Sequence, residues 1–302
     1  RKLVFYNPSD LSDVNLLKAY SKILDDFSCS ACSKAAATIV LNTYGLWESD
    51  AYKTGFMAAA DDIIGNNAYP APSYIFASGD SGAYAKASGT LTDYLGQQLV
   101  DPQYFSVNYP ASSPVVSTVG GTSLYTATDG GYLSEGTWNG GIEPVDASDT
   151  YSDWRLWATG GGVSKFENPQ HMVSIMYKST RVLPDVAFAA DPASGAWIYQ
   201  LPNGATTPTR LQAGGTALSA ALFAGFTARL FNGGYSTELP VLPIYTPELA
   251  GFRREQFVNP VNSGVNGYAG YGWPSVIGID GTSGWGSLNM SVYAQLWSKW
   301  KL

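Results

Sequence analysis

Ser73-Tyr-Ile-Phe-Ala77-Ser78-Gly79-Asp80-Ser81-Gly82 is the stretch that decides the fold. Ser73–Ala77 is a short apolar run of β-forming residues, read as a buried strand. Two glycines follow it, and glycine lets the backbone turn sharply at a strand's carboxyl end. Outward from this point, strand-like runs alternate with helical spacing. Lys2–Tyr6, Ala37–Leu41 and Val115–Val119 read as further strands. Asp13–Phe27 reads as a helix with Asp13 as its N-cap ahead of Leu16, Leu17 and Tyr20, and Asp50–Ile64 reads as a second helix. This alternation predicts an α/β fold with a mostly parallel sheet and helices on its faces. In such sheets ligands bind beyond the carboxyl ends of the strands. Asp80 is therefore a candidate site residue, with an ordinary Asx-turn as the alternative.

The 302 residues carry 17 Lys and Arg against 24 Asp and Glu, a net charge of −7. That balance argues against nucleic acid, which needs clustered positive charge. Charged residues make up only 14%, so self-repulsion stays low in acid and acid tolerance is expected. With 45% apolar residues the chain is long and hydrophobic enough for a large core. No apolar run reaches the roughly 18 residues of a membrane span; Ala213–Ala228 comes nearest and is interrupted by Gly, Thr and Ser. No linker or internal repeat divides the chain, so residues 1–302 read as one domain. It starts at Arg1, which suits a processed product, a trimmed chain or a fragment. Cys29 and Cys32 form one CxxC with no thioredoxin-like surroundings and too few histidines for zinc. Asn289-Met-Ser291 is a glycosylation sequon and supports secretion weakly.

One histidine limits the chemistry. His171 sits in a proline-bounded segment without a nucleophile signature, so it reads as a packing or surface residue rather than the base of a Ser-His-Asp triad. HExxH and Walker motifs are missing from the sequence. Acid–base work falls to carboxylates. Gly214-Gly215-Thr216-Ala217-Leu218-Ser219 reads as a glycine turn opening a buried helix of small residues. Such an opening exposes backbone N–H groups, and peptidases place a nucleophilic serine there. The alternative is a tightly packed core helix without chemistry.

These motifs resemble the sedolisin family of serine-carboxyl peptidases, which has a subtilisin-like fold. Ser78–Gly82 resembles the family's SGDSG motif. Tyr109–Thr122, Gly160–Ser164, Leu183–Ala187 with Asp191-Pro192, Gly215–Ala217 and Gly278–Ser287 are similar to its further motifs, in order. The resemblance implies a subtilisin-like three-layer sandwich and hydrolysis of peptide bonds at acidic pH. A serine attacks, a glutamate replaces histidine as base, and an aspartate orients that glutamate. A second, protonated aspartate helps hold the oxyanion. Asp80 matches the oxyanion aspartate. By position, Thr43, Tyr44, Gly45, Gly160, Gly161 and Gly162 are candidates for lining the substrate cleft, with ordinary βα loops as the alternative. Asp280 matches a calcium ligand, and the carbonyls of Val261, Val276 and Gly278 match others.

The departures are specific. Ala217 occupies the nucleophile position, and a methyl group cannot attack a carbonyl. Ser219 is displaced by about 200° around a helix from that position. Ala221 replaces a usual proline, and Pro260 stands where the first calcium aspartate belongs. Calcium takes about six to eight oxygens, so the ligand set is incomplete. The family's Glu-x-x-x-Asp pair belongs upstream of Lys2–Tyr6. Glu48 and Asp50 have the wrong spacing and place for it. Three readings follow. The first is a peptidase whose Glu/Asp pair lies on a separate light chain, with Ala217 an engineered replacement of serine. The second is a natural pseudoenzyme that binds peptides or another ligand, or runs different chemistry, in the old cleft. The third is a scaffold that keeps only the fold. The resemblance places the protein outside the cell or in a lysosome- or vacuole-like acidic compartment.

Overall fold

The computed structural model describes residues 3–28, 38–65, 72–84, 88–89, 101–144, 154–168, 180–231 and 239–300. Its strands in chain order are β1 (Ile39–Asn42), β2 (Leu46–Trp47), β3 (Ser73–Ala77), β4 (Ser88–Gly89), β5 (Asn108–Tyr109), β6 (Ser117–Thr126), β7 (Tyr132–Thr137) and β8 (Asn139–Pro144). They continue with β9 (Trp154–Ala158), β10 (Gly162–Val163), β11 (Val182–Leu183), β12 (Val186–Ala189), β13 (Ala196–Gln200) and β14 (Thr209–Ala213). The helices that matter here are α1 (Asp13–Ser28), α2 (Glu48–Thr54), α3 (Phe56–Gly65) and α4 (Thr216–Leu230).

The central sheet runs β1-β3-β6-β12 in parallel, with β7 antiparallel on β6. All five residues of β3 are buried, as a parallel strand covered on both faces requires. Its side chains alternate between two cores. Tyr74 and Phe76 pack with Leu16, Tyr20, Phe56 and Met57 of α1 and α3. Ile75 and Ala77 pack with Val119, Val186 and Phe223, on the α4 side. The sheet thus lies between two helical layers. β12 is fixed to β6 by Asp185, which accepts from the Thr118 N–H at 2.7 Å and from Tyr245 at 2.6 Å. Buried Arg181 forms a two-pronged ion pair with that carboxylate.

Several element predictions need correction. Leu3–Tyr6 is irregular rather than a strand: Phe5 is 82% exposed, and the segment has no ladder partner among the described residues. The Tyr6 hydroxyl holds it to α1 by donating to Asp26 at 3.1 Å. Asp13 is the first helical residue of α1, and Ser12 lies ahead of it, its carbonyl accepting from Asn15 and Leu16. Asp50–Ile64 is two helices, because Gly55 adopts φ 79° and ends α2. The Ala37–Leu41 strand starts at Ile39, Ala37 lying outside the described residues. The Val115–Val119 strand starts at Ser117 and runs on to Thr126. Lys2, Cys29, Cys32 and His171 lie outside the described residues. Among those described, no helix is long and apolar enough to cross a membrane.

Among the described residues one side of α4 is exposed. α4 packs across β1, β3, β6 and β12, yet Ala221, Leu222 and Gly225 are exposed on one of its sides. Leu222 is 46% exposed and Leu41 of β1 is 42% exposed. Ile39 packs into the α4-side core while Val40 packs into the other, so Leu41, two residues on from Ile39, faces the α4 side. β1 is also the end strand of the sheet among the described residues.

Candidate active site

Asp80 lies at the carboxyl end of β3, three residues beyond Ala77. The Ser78 N–H donates to the Val119 carbonyl at 3.0 Å, continuing the ladder to β6. Asp80 then turns toward α4. Its Oδ1 accepts from the Thr216 N–H and the Thr216 hydroxyl, each at 2.8 Å. The same hydroxyl accepts from the Gly79 N–H at 3.1 Å. The carboxyl thus satisfies the first free N–H of α4. Gly215 is required here: its φ is 86°, and a Cβ on it would stand 2.9 Å from Asp80 Oδ2. Ala217 is the next residue after Thr216 and is half-buried. Asp80 and Ala217, 137 positions apart in the chain, therefore share one corner of the fold.

Ser219, two residues on, is engaged in the fold. It is buried, and its hydroxyl donates to the carbonyls of Phe188 and Ala189 at 2.9 and 3.0 Å.

The proposed cleft segments meet around this corner in different ways. The Gly160 N–H donates to the Gly79 carbonyl at 2.6 Å. Gly160, Gly161 and Gly162 are all buried. A Cβ on Gly160 would collide with the Ser78 carbonyl, and one on Gly161 with the Gly281 carbonyl. Their glycines serve close backbone packing. Thr43 and Gly45 are exposed and Tyr44 is half-buried. Asn108, which the sequence reading missed, joins the two sides. It packs beside Gly45 and Gly79, and its Nδ2 donates to the Ser78 carbonyl at 3.1 Å. Its one sequence signal is its place directly before the Tyr109-Pro-Ala-Ser motif.

Glu48, set apart by its spacing from the family's Glu/Asp pair, has a different place. It is fully buried and accepts from the Ser164 hydroxyl at 2.8 Å and the Lys165 N–H at 2.9 Å. Burial pushes its carboxyl above the usual range, opposed by those two hydrogen bonds. Asp50 is exposed and lies 3.8 Å from Lys53. Near Glu48, burial first and then the Asp61 carboxylate raise Glu167 to about 8. Asp61 accepts from Tyr109 at 3.0 Å and Ser113 at 2.7 Å.

The Asp280 loop lies beneath the glycine loop. Asn266 Nδ2 donates to the carbonyls of Thr159, Gly161 and Gly281 at 3.2, 3.4 and 3.4 Å, tying the two together. Asp280 takes hydrogen bonds from five donors: the N–H groups of Val276, Thr282 and Ser283 and the hydroxyls of Thr282 and Ser283. The Val276 N–H meets Oδ2 at 2.9 Å. Pro260 brings no side-chain oxygen, and no group of three or more acidic, His or Cys residues suited to a metal occurs among the described residues. The one carboxylate of this loop is thus occupied by protein donors, whereas calcium takes about six to eight oxygens.

A mostly parallel sheet between helical layers, with an aspartate beyond its β3 strand facing the first turn of α4, agrees with a subtilisin-like α/β fold. No family model matches the chain. It is 32% identical over 296 residues to sedolisin of Pseudomonas sp. (strain 101), covering 96% of this chain and 45% of that protein. It is also 32% identical over 314 residues to xanthomonalisin of Xanthomonas sp. (strain T-22), covering 98% and 36%. The chain thus spans less than half the length of these curated relatives. The solved structure of Pseudomonas sedolisin, a serine-carboxyl proteinase complexed with two molecules of pseudo-iodotyrostatin, superposes with a TM-score of 0.78 at 32% identity. That match covers 98% of this chain and 73% of the solved one. The chain belongs to the sedolisin family of serine-carboxyl peptidases.

Proposed function

We propose that this chain forms the larger part of an acid-acting peptidase site, holds a polypeptide in its cleft, and does not hydrolyse it while Ala217 stands at the nucleophile position. The placement of Asp80 beside Ala217 at the opening of α4 carries this reading. With serine at 217, the hydroxyl oxygen attacks the peptide carbonyl carbon and its proton passes to a glutamate. A protonated Asp80 donates a hydrogen bond to the oxyanion. The C–N bond then breaks and the glutamate returns the proton to the leaving amine.

The glutamate and its aspartate come from a segment outside this chain, such as a light chain. The open stripe of Ala221, Leu222, Gly225 and Leu41 supports this. It continues from Ala217, since residues four apart share a helix face. A segment seated there reaches the reacting corner. In this reading the Asp280 loop closes on its own hydrogen bonds and works without calcium. The protein acts in acidic surroundings outside the cell or in a comparable compartment. A pseudoenzyme with a retained cleft is the second reading, favoured by Ala221 and Pro260 departing from the family pattern along with Ala217.

The test is Ala217→Ser combined with the part of Pseudomonas sedolisin that this chain does not match, assayed on casein at about pH 4. Hydrolysis only when both are present supports the peptidase reading. A stable, folded complex without hydrolysis overturns it in favour of the pseudoenzyme. Casein binding by the unaltered chain separates a working cleft from a mere scaffold.

A further inference from the structure

Glu48 stands at a junction that the chemistry above does not use. It opens α2 directly after β2, whose Leu46 pairs with Tyr109 and Trp47 with Asn108. Its own N–H donates to the Val107 carbonyl at 3.2 Å. Its carboxylate reaches 116 and 117 positions along the chain, one oxygen to the Ser164 hydroxyl and the other to the Lys165 N–H. Ser164 is fixed from three further sides. Its N–H donates to the Arg181 carbonyl at 2.8 Å, and its hydroxyl oxygen accepts from the N–H groups of Phe166 at 3.2 Å and Glu167 at 2.9 Å.

Thr43–Gly45 ends three residues before Glu48, and Gly160–Gly162 ends two residues before Ser164. The two segments are bridged on one side by Asn108 and Ser78–Gly79. On the other side Glu48 bridges them. We infer that Glu48 is a positioning residue: by clamping Ser164 and Lys165 to the start of α2, it fixes the spacing between the Thr43–Gly45 and Gly160–Gly162 segments and so the width of the peptide cleft. This rests on the reading of those segments as cleft walls.

The residue type fits the task. A fully buried carboxylate is costly unless its oxygens are satisfied. A carboxylate accepts on both oxygens, whereas an amide accepts on one and donates from the other. Glutamine would turn an N–H toward either the Lys165 N–H or a Ser164 oxygen already accepting twice. The charged groups around Glu48 are Lys165, whose Nζ donates to the Gln103 carbonyl at 3.2 Å, and the Glu167–Asp61 carboxyl pair.

The experiment measures hydrogen exchange by mass spectrometry and binding of fluorescein-labelled β-casein for the unaltered chain, Glu48→Gln, Glu48→Ala, Ser164→Ala and the double variant Glu48→Ala/Ser164→Ala. Exchange in both 41–46 and 160–166 is expected to rise about tenfold in Glu48→Ala, with casein binding weakened by a similar factor. Glu48→Gln should fall between, and the double variant should be less than additive. Faster exchange confined to α2, a uniform rise along the whole chain, or strict additivity overturns the inference. Should Glu48→Ala fail to fold, Glu48→Gln and Ser164→Ala carry the same comparison of the two walls. Coupled exchange at both walls without casein binding by any form sustains the positioning role and refutes the cleft reading instead.

Discussion

Asp80 and Asp280 sit in turns of similar composition, Ser-Gly-Asp-Ser-Gly and Ile-Asp-Gly-Thr-Ser-Gly, and are used in opposite ways. Among the described residues Asp80 takes hydrogen bonds from one residue, Thr216, on one oxygen, and its Oδ2 lies against Gly215. Asp280 has both oxygens engaged, and its loop closes on itself through the Asp280–Gly284 bridge. A carboxylate surrounded by N–H and O–H donors is a structural clamp. One with an oxygen left at a helix opening is available to a reacting group. Residue type and glycine content are nearly the same in both turns, so the donor count makes the difference.

Four measurements break or sharpen this contrast. In the Ala217→Ser form complemented as above, Asp80→Ala should lower turnover of casein about 100- to 1000-fold, the cost of removing one oxyanion donor. Its melting temperature should change little, because one helix-end contact is worth only about 1 kcal/mol. A large loss of stability without a turnover effect would make Asp80 a clamp too. Asp280→Ala should cost about 3 kcal/mol in denaturant unfolding, since several buried donors lose their acceptor. A cost under about 1 kcal/mol would show the loop to be held by other contacts.

The third measurement is the pH dependence of stability. Burial raises the carboxyls of Glu48, of Glu135, a buried β7 residue that accepts from the Thr122 hydroxyl at 2.8 Å, and of Glu167, the last to about 8. Between the ordinary glutamate value of about 4.3 and that upper limit, the folded state binds more protons than the unfolded one. Stability from these groups is present in acid and lost as pH rises through their folded values. The melting temperature should therefore be higher near pH 5 than near pH 8, by a few degrees at most, at about 2 °C per kcal/mol. A rise toward pH 8 instead would contradict the raised values. The smallest expected effect is that of calcium. A site filled at a hundred times its Kd would add about 2.7 kcal/mol, and here neither calcium nor a chelator should move the melting curve. A clear upward shift with calcium would place the ion on the Asp280 loop after all.

Much of this architecture is legible locally. Ser73–Ala77 was read as a buried strand because an apolar run of that length ending in glycines has few other uses, and Asp80 followed from its place beyond it. Ala217 followed from the glycine turn before a small-residue helix. The errors were local as well. Gly55 divides a helical pattern that runs through it, and Leu3–Tyr6 has strand-like composition without a strand to pair with. The Gly160–Gly162 run marks an unusual backbone site, and glycine permits close packing and peptide contact alike.

The sequence by itself determined the α/β class, the order of the motifs and the aspartate beyond the strand end. Each depends on a few neighbouring residues and the repeat of strand or helix. Only the tertiary structure decided that Glu48 clamps Ser164, that Asn108 bridges two loops and that Asp280 is consumed by five donors. A carboxylate's role is set by which donors surround it. For Glu48 those donors come from more than a hundred residues away, where no spacing rule reaches.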